Sequence, residues 1–320
     1  MLTEPRIDVL TLCSRSTGLT KAEVLSIARN APKRYKVYEI PKRSGQGTRT
    51  ICHPSRELKA LQYFFLREIL NTLPVHRSAT AYEEGRSIKQ NAEAHRLSRV
   101  ILKVDFDSFF HSIRVANWEK FATDKFPDWS PEEHAFSQRV LFWGRGTASP
   151  ECLAIGAPTS PRVSNVIMYE LDEVLSAYAN DADLVYTRYA DDITISSREY
   201  LDMNATLALI RQSIASTKYT RVTLNERKTR LVSKARMRRV TGIIITSDNR
   251  ISLGRDRKRL ISAMLHRASK SLLNEAETLK LRGLLSFAND AEPEYVNTLI
   301  RKYGGELVAS VTRLRSTEGR

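Results

Sequence analysis

The sequence lacks the features that would place it in a bilayer, in a secretory compartment or around zinc. No run of about 18 apolar residues is present to cross a membrane, and the first residues carry no apolar signal segment. The three cysteines, Cys13, Cys52 and Cys152, are odd in number and far apart. They offer neither a disulfide framework nor a metal-ligand spacing and read as reduced thiols, which sets an expectation of a cytoplasmic protein. Internal repeats, low-complexity tracts and long Gly/Ser/Pro linkers are missing too. Negative charge is scarce: 36 Asp+Glu stand against 51 Lys+Arg, a net +15. Such a surplus suits a polyanion, and with no membrane segment the expected partner is nucleic acid, with no membrane partner. With 320 residues, 42% of them hydrophobic, there is material for a large core and more than one domain.

The local patterns form an α+β array without the regular beat of a doubly wound parallel sheet. Thr20-Lys-Ala-Glu23 has the form of a capping box ahead of Val24, Leu25 and Ile27. Tyr35 to Ile40 and Arg49 to Cys52 read as two strands joined by the turn Ser44-Gly45-Gln46-Gly47. Leu58, Leu61, Phe65, Ile69 and Leu73 recur at helical spacing and predict an amphipathic core helix. Ser87 to Gln90 is a second capping box, opening a short helix through His95, and Val100 to Asp105 is a buried strand. Ser130-Pro131 opens one helix and Ser160-Pro161 a longer one that carries Val163, Val166, Ile167, Leu171 and Leu175. A helix from Leu201 to Thr217 follows, then short strands around Val222, Leu231 and Val240 to Ile245. The stretch from 255 to 320 reads as basic and mainly helical.

Tyr189-Ala190-Asp191-Asp192 is the most informative stretch. It lies between Leu184-Val185-Tyr186 and Ile193-Thr194-Ile195, both at strand spacing, so the acids sit at a hairpin tip. Adjacent carboxylates repel and raise one another's pKa unless a cation lies between them. A rigid tip therefore suggests a divalent metal with oxygen ligands, Mg²⁺ before others; a solvated surface turn is the alternative. Asp105 ends the buried strand and, if that strand lies beside the hairpin, meets Asp191 and Asp192. Three carboxylates from two strands suit two divalent ions roughly 3.5–4 Å apart. Asp107, two residues on, reads as a solvated or capping neighbour.

Together these residues resemble the palm of reverse transcriptases. Asp105 to Phe110 resembles motif A, Gly156-Ala-Pro-Thr-Ser-Pro161 with Ser164-Asn165 motif B, Tyr189 to Asp192 motif C, and Leu224-Asn225-Glu-Arg-Lys228-Thr229 motif D, in that order. Arg49 to Lys59 and Ala81 to His95 resemble the finger motifs, so the likeness runs from roughly 35 to 245. Asn91-Ala-Glu-Ala-His95 and Val240-Thr241-Gly242 are similar to two signatures of bacterial retron reverse transcriptases. Taken alone, Asn91 and His95 read as a structural pair one helical turn apart, and Val240-Thr-Gly as a strand running into a turn. The resemblance reads both as contacts to structured RNA.

The resemblance implies a right-hand polymerase fold. An N-terminal helical segment would occupy 1–34 and fingers 35–98. A palm whose antiparallel sheet carries the acidic hairpin would span 99–245, with a helical finger insertion at about 114–155. A mainly helical thumb with RNA-binding residues would occupy 246–320. By the same resemblance, Asp105, Asp191 and Asp192 hold two Mg²⁺ ions, for which Mn²⁺ can substitute. Phe110 is the bulky gate that clashes with a ribose 2′-hydroxyl and selects dNTPs. Arg49 faces the incoming triphosphate, since a guanidinium matches phosphate oxygens bidentately; a solvated strand-end charge is the alternative. Lys228 sits near the leaving pyrophosphate as an acid, or else is a solvated lysine. One departure stands out. The family carries Pro-Gln before the glycine of motif B, and here Ala154-Ile155 precede Gly156. Isoleucine has no hydrogen-bonding group, so nucleotide contact at Ile155 would be apolar, which leaves efficiency and discrimination open.

From Arg227 to Arg239, seven of thirteen residues are Lys or Arg, and Arg255, Arg257 and Lys258 follow. Beside a template site these read as phosphate contacts rather than a solvated face. The stretch after Gly242 is expected to be too short for a thumb plus a ribonuclease H domain, so a host ribonuclease H is expected to remove template RNA. Resemblance to retrons further implies self-primed copying of a cognate noncoding RNA from a guanosine 2′-hydroxyl. The product would be a branched RNA–DNA hybrid (msDNA), made alongside an accessory effector in anti-phage defence. Two other readings stand beside this one: a group II intron-like reverse transcriptase, and a non-catalytic RNA-binding scaffold for an effector. Burying three unpaired carboxylates without metal is costly, which weighs against the scaffold.

Overall fold

The computed structural model describes residues 7–42 and 47–313. These divide into two compact units. The first comprises the described parts of Met1–Glu84, Lys103–Ile195 and Leu201–Arg230; the second those of Gly85–Leu102, Ser196–Tyr200 and Leu231–Arg320.

The chain opens with α1 (Val9–Thr17), capped by Asp8, and α2 (Lys21–Asn30), whose Thr20–Glu23 capping box forms as the sequence predicts. β1 (Tyr35–Pro41) and β2 (Thr48–Pro54) pair antiparallel with Val37 opposite Cys52. Ser44 to Gln46 of the expected turn lie outside the described residues. α3 (Arg56–Phe64) continues through a π turn at Phe65–Ile69 and a 3₁₀ turn at Leu70–Thr72. The predicted stripe of Leu58, Leu61, Phe65 and Ile69 is buried along this run, and Leu73 is buried just beyond it. α4 (Ile88–Ala94) starts at the Ser87–Gln90 capping box, and β3 (Val100–Asp105) is the expected strand. Short α5 (Phe109–Ser112) leads into α6 (Val115–Lys125) and α7 (Pro131–Leu141).

Ser160-Pro161 opens two helices rather than one. α8 (Ser160–Ile167) stops at Met168, whose φ of −81° and ψ of −4° break the ladder, and α9 (Tyr169–Asp181) restarts there. The apolar stripe runs on through the bend, with Val163, Val166, Ile167, Met168, Leu171 and Leu175 all buried. Periodicity therefore could not reveal the break. β4 (Val185–Tyr189), β5 (Asp192–Ser197), α10 (Met203–Ser216) and β6 (Arg230–Ser233) follow. The sheet runs in the order β4-β5-β3-β6, which sets the acid-bearing strands β5 and β3 side by side. Val222 is buried but lies in no strand; pairing in this segment is a single bridge between Leu224 and Phe106.

In the second unit, the expected single strand over Val240 to Ile245 is a hairpin. β7 (Arg238–Val240) and β8 (Ile243–Ile245) pair with Val240 opposite Ile243, and β9 (Ile251–Ser252) joins β8. The two-residue turn Thr241-Gly242 has φ of 47° and 83°, the doubly positive geometry of a type I′ connection. α11 (Arg255–Ala268), α12 (Glu275–Ala291), α13 (Pro293–Tyr303) and α14 (Gly305–Arg313) give the predicted helical end. Ala92, Val240, Ile243, Ile261, Leu265, Leu281 and Leu285 share one buried core here.

Candidate active site

Backbone hydrogen bonds at the end of β3 gather three segments that are far apart in sequence. Phe106 N donates to Asp191 O at 3.1 Å, tying the strand end to the hairpin tip. Asn225 N donates to Asp105 O at 2.7 Å, and Asp107 N to Thr223 O at 2.8 Å, tying the 223–228 segment to the same point. Asp105 is buried, and Lys228 Nζ donates to its Oδ1 at 2.8 Å. Asp107 is exposed, as the sequence reading has it.

Ala190 turns the hairpin with φ of 56°, a left-handed geometry uncommon for a residue with a Cβ. The next two residues are Asp191 and Asp192, both partly buried. Burial raises the pKa of Asp191, the Asp105 charge raises it further, and Lys228 and Arg49 oppose the shift. Burial is also the main cause for Asp192, pushed up to about 6, with Lys103 opposing and the two other acids adding to it. Lys228 stays protonated to higher pH than usual: burial opposes this, and its hydrogen bond to Asp105 and the three negative charges outweigh burial.

The three acids repel one another and are drawn out of water, and Lys228, Lys103 and Arg49 only partly compensate them. Such a donor set, all hard oxygen, suits Mg²⁺ or Mn²⁺ rather than a thiophilic ion. Among the described residues no three His, Cys, Asp or Glu side chains stand as a ready-made ion cage. The acids are gathered, and Lys228 shares Asp105.

Phe110 is half-buried, 5.4 Å from the Phe109 ring and 6.4 Å from that of Tyr82, while Phe109 is core. Arg49 is exposed on β2, and its charge acts on Asp191 and Tyr82. Ile155 is half-buried and meets the first hairpin by its backbone: Cys52 N donates to Ile155 O at 2.8 Å. Gly156, with φ of 115°, lies so close to β2 that a Cβ there would stand 3.1 Å from Cys52 O.

Residues of the two late signatures lie differently from the sequence expectation. Asn91, His95 and Val240 are buried in the second unit, at 1%, 0% and 0% exposure, so their side chains present nothing to an RNA. His95 Nδ1 pairs with Ser196 Oγ at 2.6 Å, and Thr241 Oγ1 donates to Ile88 O at 3.1 Å, which joins the two signatures through the backbone of α4. Lys258 is committed to Glu292 at 2.6 Å, whereas Arg255 is exposed. Arg257 lies over the Phe287 ring at 4.5 Å and donates to the carbonyl of exposed Gly242 at 3.2 Å. Within the basic run, Arg238 is buried on backbone carbonyls of Ser98 and Thr246, while Arg236 and Arg239 are exposed.

Sequence reasoning missed Tyr82 and Arg188. Tyr82, φ 65° and 53% exposed, flanks Phe110; it falls within the Ala81 to His95 finger-motif stretch, which does not by itself single it out. Arg188 immediately precedes motif C and is wholly buried, a placement that strand periodicity alone does not predict for an arginine.

Residues 40–245 match the reverse transcriptase (RNA-dependent DNA polymerase) family. The chain is 34% identical over 285 residues to the Retron Ec83 reverse transcriptase of Escherichia coli, covering 87% of this chain and 90% of that one. It is 32% identical to the Retron Ec73 reverse transcriptase of Escherichia coli, covering 93% of this chain and 96% of that one. With the Retron Mx65 reverse transcriptase of Myxococcus xanthus the figures are 31%, 92% and 70%. The chain therefore belongs to the reverse transcriptases, RNA-directed DNA polymerases, and among them to the retron family. The α+β polymerase fold expected from the sequence is the fold of that family.

Proposed function

We propose that this enzyme copies part of a cognate structured noncoding RNA into DNA, primed from a guanosine 2′-hydroxyl of that RNA, and leaves a branched RNA–DNA product. The catalytic part is supported by the backbone bond that ties Phe106, next to Asp105, to Asp191, by the mutual charge effects of Asp105, Asp191 and Asp192, and by Lys228 at 2.8 Å from Asp105. Two divalent ions held by these acids would activate the primer hydroxyl and stabilise the departing pyrophosphate. The chain's own residues orient the reactants. Arg49, exposed on β2 and acting by its charge on Asp191, meets the triphosphate. Phe110 and Tyr82 flank the sugar. The backbone at Ile155 and Gly156 replaces the missing glutamine as the floor under the nucleotide. Lys228, protonated beside the acids, gives its proton to the pyrophosphate as it leaves.

In this reading the first unit provides most of the fingers and palm. The second, which also takes in 85–102, 196–200 and 231–245 from the expected fingers and palm, provides the thumb and the surface that takes the RNA. An open groove of about 800 Å³ on the second unit is lined by Arg239, Arg255, Arg257 and Lys258, which supports phosphate contact there. Val240, in one core with Ala92, and Thr241, bonded to Ile88 O, serve that surface by holding α4 against the β7–β8 hairpin, while His95 bonds Ser196. Exposed Gly242, and Thr241 through its backbone, form the hairpin's outer edge. Among the described residues no helix is long and apolar enough to cross a membrane. A host ribonuclease H and an accessory effector, acting in anti-phage defence in the cytoplasm, complete the proposal.

The test is expression of the chain with its neighbouring genomic RNA, followed by denaturing gels before and after debranching. A branched DNA that disappears in Asp191→Asn and Asp192→Asn is expected. Tight RNA binding by the wild type without any DNA would instead favour the scaffold reading.

A further inference from the structure

Behind the acidic hairpin lies a buried charged cluster that the reaction as described does not use. Arg188, in β4, is fully buried, as is Asp172 in α9. The Arg188 guanidinium grips Asp172 with two parallel bonds, Nε to Oδ1 at 2.7 Å and Nη2 to Oδ2 at 2.6 Å. Tyr186 donates its hydroxyl to the same Oδ1 at 2.7 Å. The remaining nitrogen, Nη1, turns forward: it donates to Ala190 O at 3.0 Å and to Asn165 Oδ1 at 3.2 Å. Asn165, in α8, is itself fixed, since its Nδ2 donates to Ala81 O and to Glu83 Oε1, both at 2.9 Å. The backbone of Arg188 is pinned as well, donating to Ser78 O and accepting from Thr80 N, each at 2.8 Å.

Two facts make this more than a buried ion pair. A buried pair commonly yields no net stability over apolar residues of similar volume, because desolvation offsets the Coulomb gain. Stability alone therefore does not explain its presence. Second, the carbonyl that Arg188 holds belongs to Ala190, the left-handed residue that turns the chain into Asp191. Strained backbone persists where its surroundings over-determine it. Here the surroundings are Arg188, with its fork locked by Asp172 and its other nitrogen shared with Asn165.

We infer that Arg188 is a positioning residue, which clamps the Ala190 carbonyl to hold the left-handed turn and so sets Asp191 and Asp192 in their metal-holding geometry. This rests on the reading of those two acids as metal ligands. Through Asn165, the clamp also ties the turn to α8 and to the 81–83 segment beside Phe110.

The test uses the full chain and two readouts. One is DNA synthesis on a generic primed RNA template, resolved into kcat and KM for dNTP. The other is Mn²⁺ binding followed by electron paramagnetic resonance without RNA, counting only the binding lost in Asp191→Asn. The variant is the double substitution Arg188→Met with Asp172→Leu, which removes both buried charges together and leaves Ala190 O without its donor. Expected are a melting midpoint lowered by several degrees, because the buried Tyr186 hydroxyl loses its acceptor, kcat in the folded variant lowered by about 10- to 100-fold with KM within about threefold, and weakened Asp191-dependent Mn²⁺ binding. Adding Ala190→Gly, which accepts the left-handed turn without a clamp, should recover part of both losses. Wild-type kcat and Mn²⁺ binding in the folded double variant would overturn the inference. Should that variant not fold, Arg188→Lys answers the same question, because an ammonium satisfies Asp172 but cannot bridge it to Ala190 O. The same losses are expected there, and their absence overturns the clamp. If wild type makes no DNA on any RNA, the polymerase reading fails, while the Mn²⁺ measurement still decides the clamp.

Discussion

Lys228 Nζ lies 2.8 Å from Asp105 Oδ1, so a side chain of the 223–228 segment already neutralises part of the charge that the three acids create. Lys228 is 60% exposed, and a pair this wet contributes at most ~1 kcal/mol to stability. In the proposed reaction it is the acid that meets the leaving pyrophosphate. Lys228→Met should therefore leave the melting midpoint within a few degrees and lower single-turnover DNA synthesis by about 100-fold, the scale of a lost general acid. Because the ammonium competes with metal for Asp105, the Mg²⁺ concentration giving half-maximal rate should not rise. A large rise, with the maximal rate unchanged, would instead make Lys228 an organiser of the metal ligands.

Gly156 makes a prediction from backbone alone. Its φ of 115° lies where side-chain-bearing residues rarely go, and a Cβ would meet Cys52 O at 3.1 Å. Gly156→Ala combines strain with a close contact and should destabilise the chain by ~1–3 kcal/mol. The loop that carries Ile155 is bonded to Cys52, so its displacement should raise KM for dNTP more than it lowers kcat. Chemical denaturation and steady-state kinetics on the same preparation would show both effects. Normal stability and KM together would mean that the loop has room to shift.

Much of this was legible because its signals are local. The Thr20 and Ser87 capping boxes, the Ser130-Pro131 helix start, the 189–192 hairpin and the Val100–Asp105 strand each depend on residues close in sequence. The gathering of Asp105 with the hairpin was reachable only by supposing that two strands are neighbours, which the sheet order bears out. The bend at Met168 was hidden because burial on both sides preserves the apolar period. Arg188 was hidden for a different reason. A buried arginine is intelligible only once Asp172, Asn165 and the Ala190 carbonyl are seen around it, and these come from three separate segments. Asn91 lies on the short helix as expected while His95 caps its end one residue beyond it, but spacing does not say which way these side chains turn, and both are turned inward.

Phe110 and Tyr82 make a prediction about substrate choice. Their rings lie 6.4 Å apart at the edge of the acidic site, and Tyr82 is exposed while held at φ 65°. Phe110→Ala removes the bulk that would oppose a 2′-hydroxyl, so ribonucleotide incorporation relative to deoxynucleotide should rise about 10- to 100-fold. Tyr82→Phe keeps the ring and should leave the ratio unchanged. An unaltered ratio in Phe110→Ala would assign that side chain to packing alone.

His95 gives the prediction that separates burial from RNA contact. Its ring is wholly buried, and burial holds its pKa down to about 3. An unfolded chain has this group near 6.5, so between about 6.5 and 3 the unfolded state binds a proton that the native state refuses. The folded pKa is the lower of the two, so the group's neutral form favours folding at neutral pH. That contribution is lost as pH falls below about 6.5, at up to ~1.4 kcal/mol per pH unit. His95→Gln removes the titration. Its urea midpoint should be lower than wild type at pH 7.5, and the gap should narrow as pH falls toward 5. RNA affinity at pH 7.5 should drop only in step with the fraction unfolded, because the ring lies beside Ser196 and not on the surface. A folded variant with weak RNA binding would instead return His95 to the contact surface and require α4 to turn outward when RNA arrives.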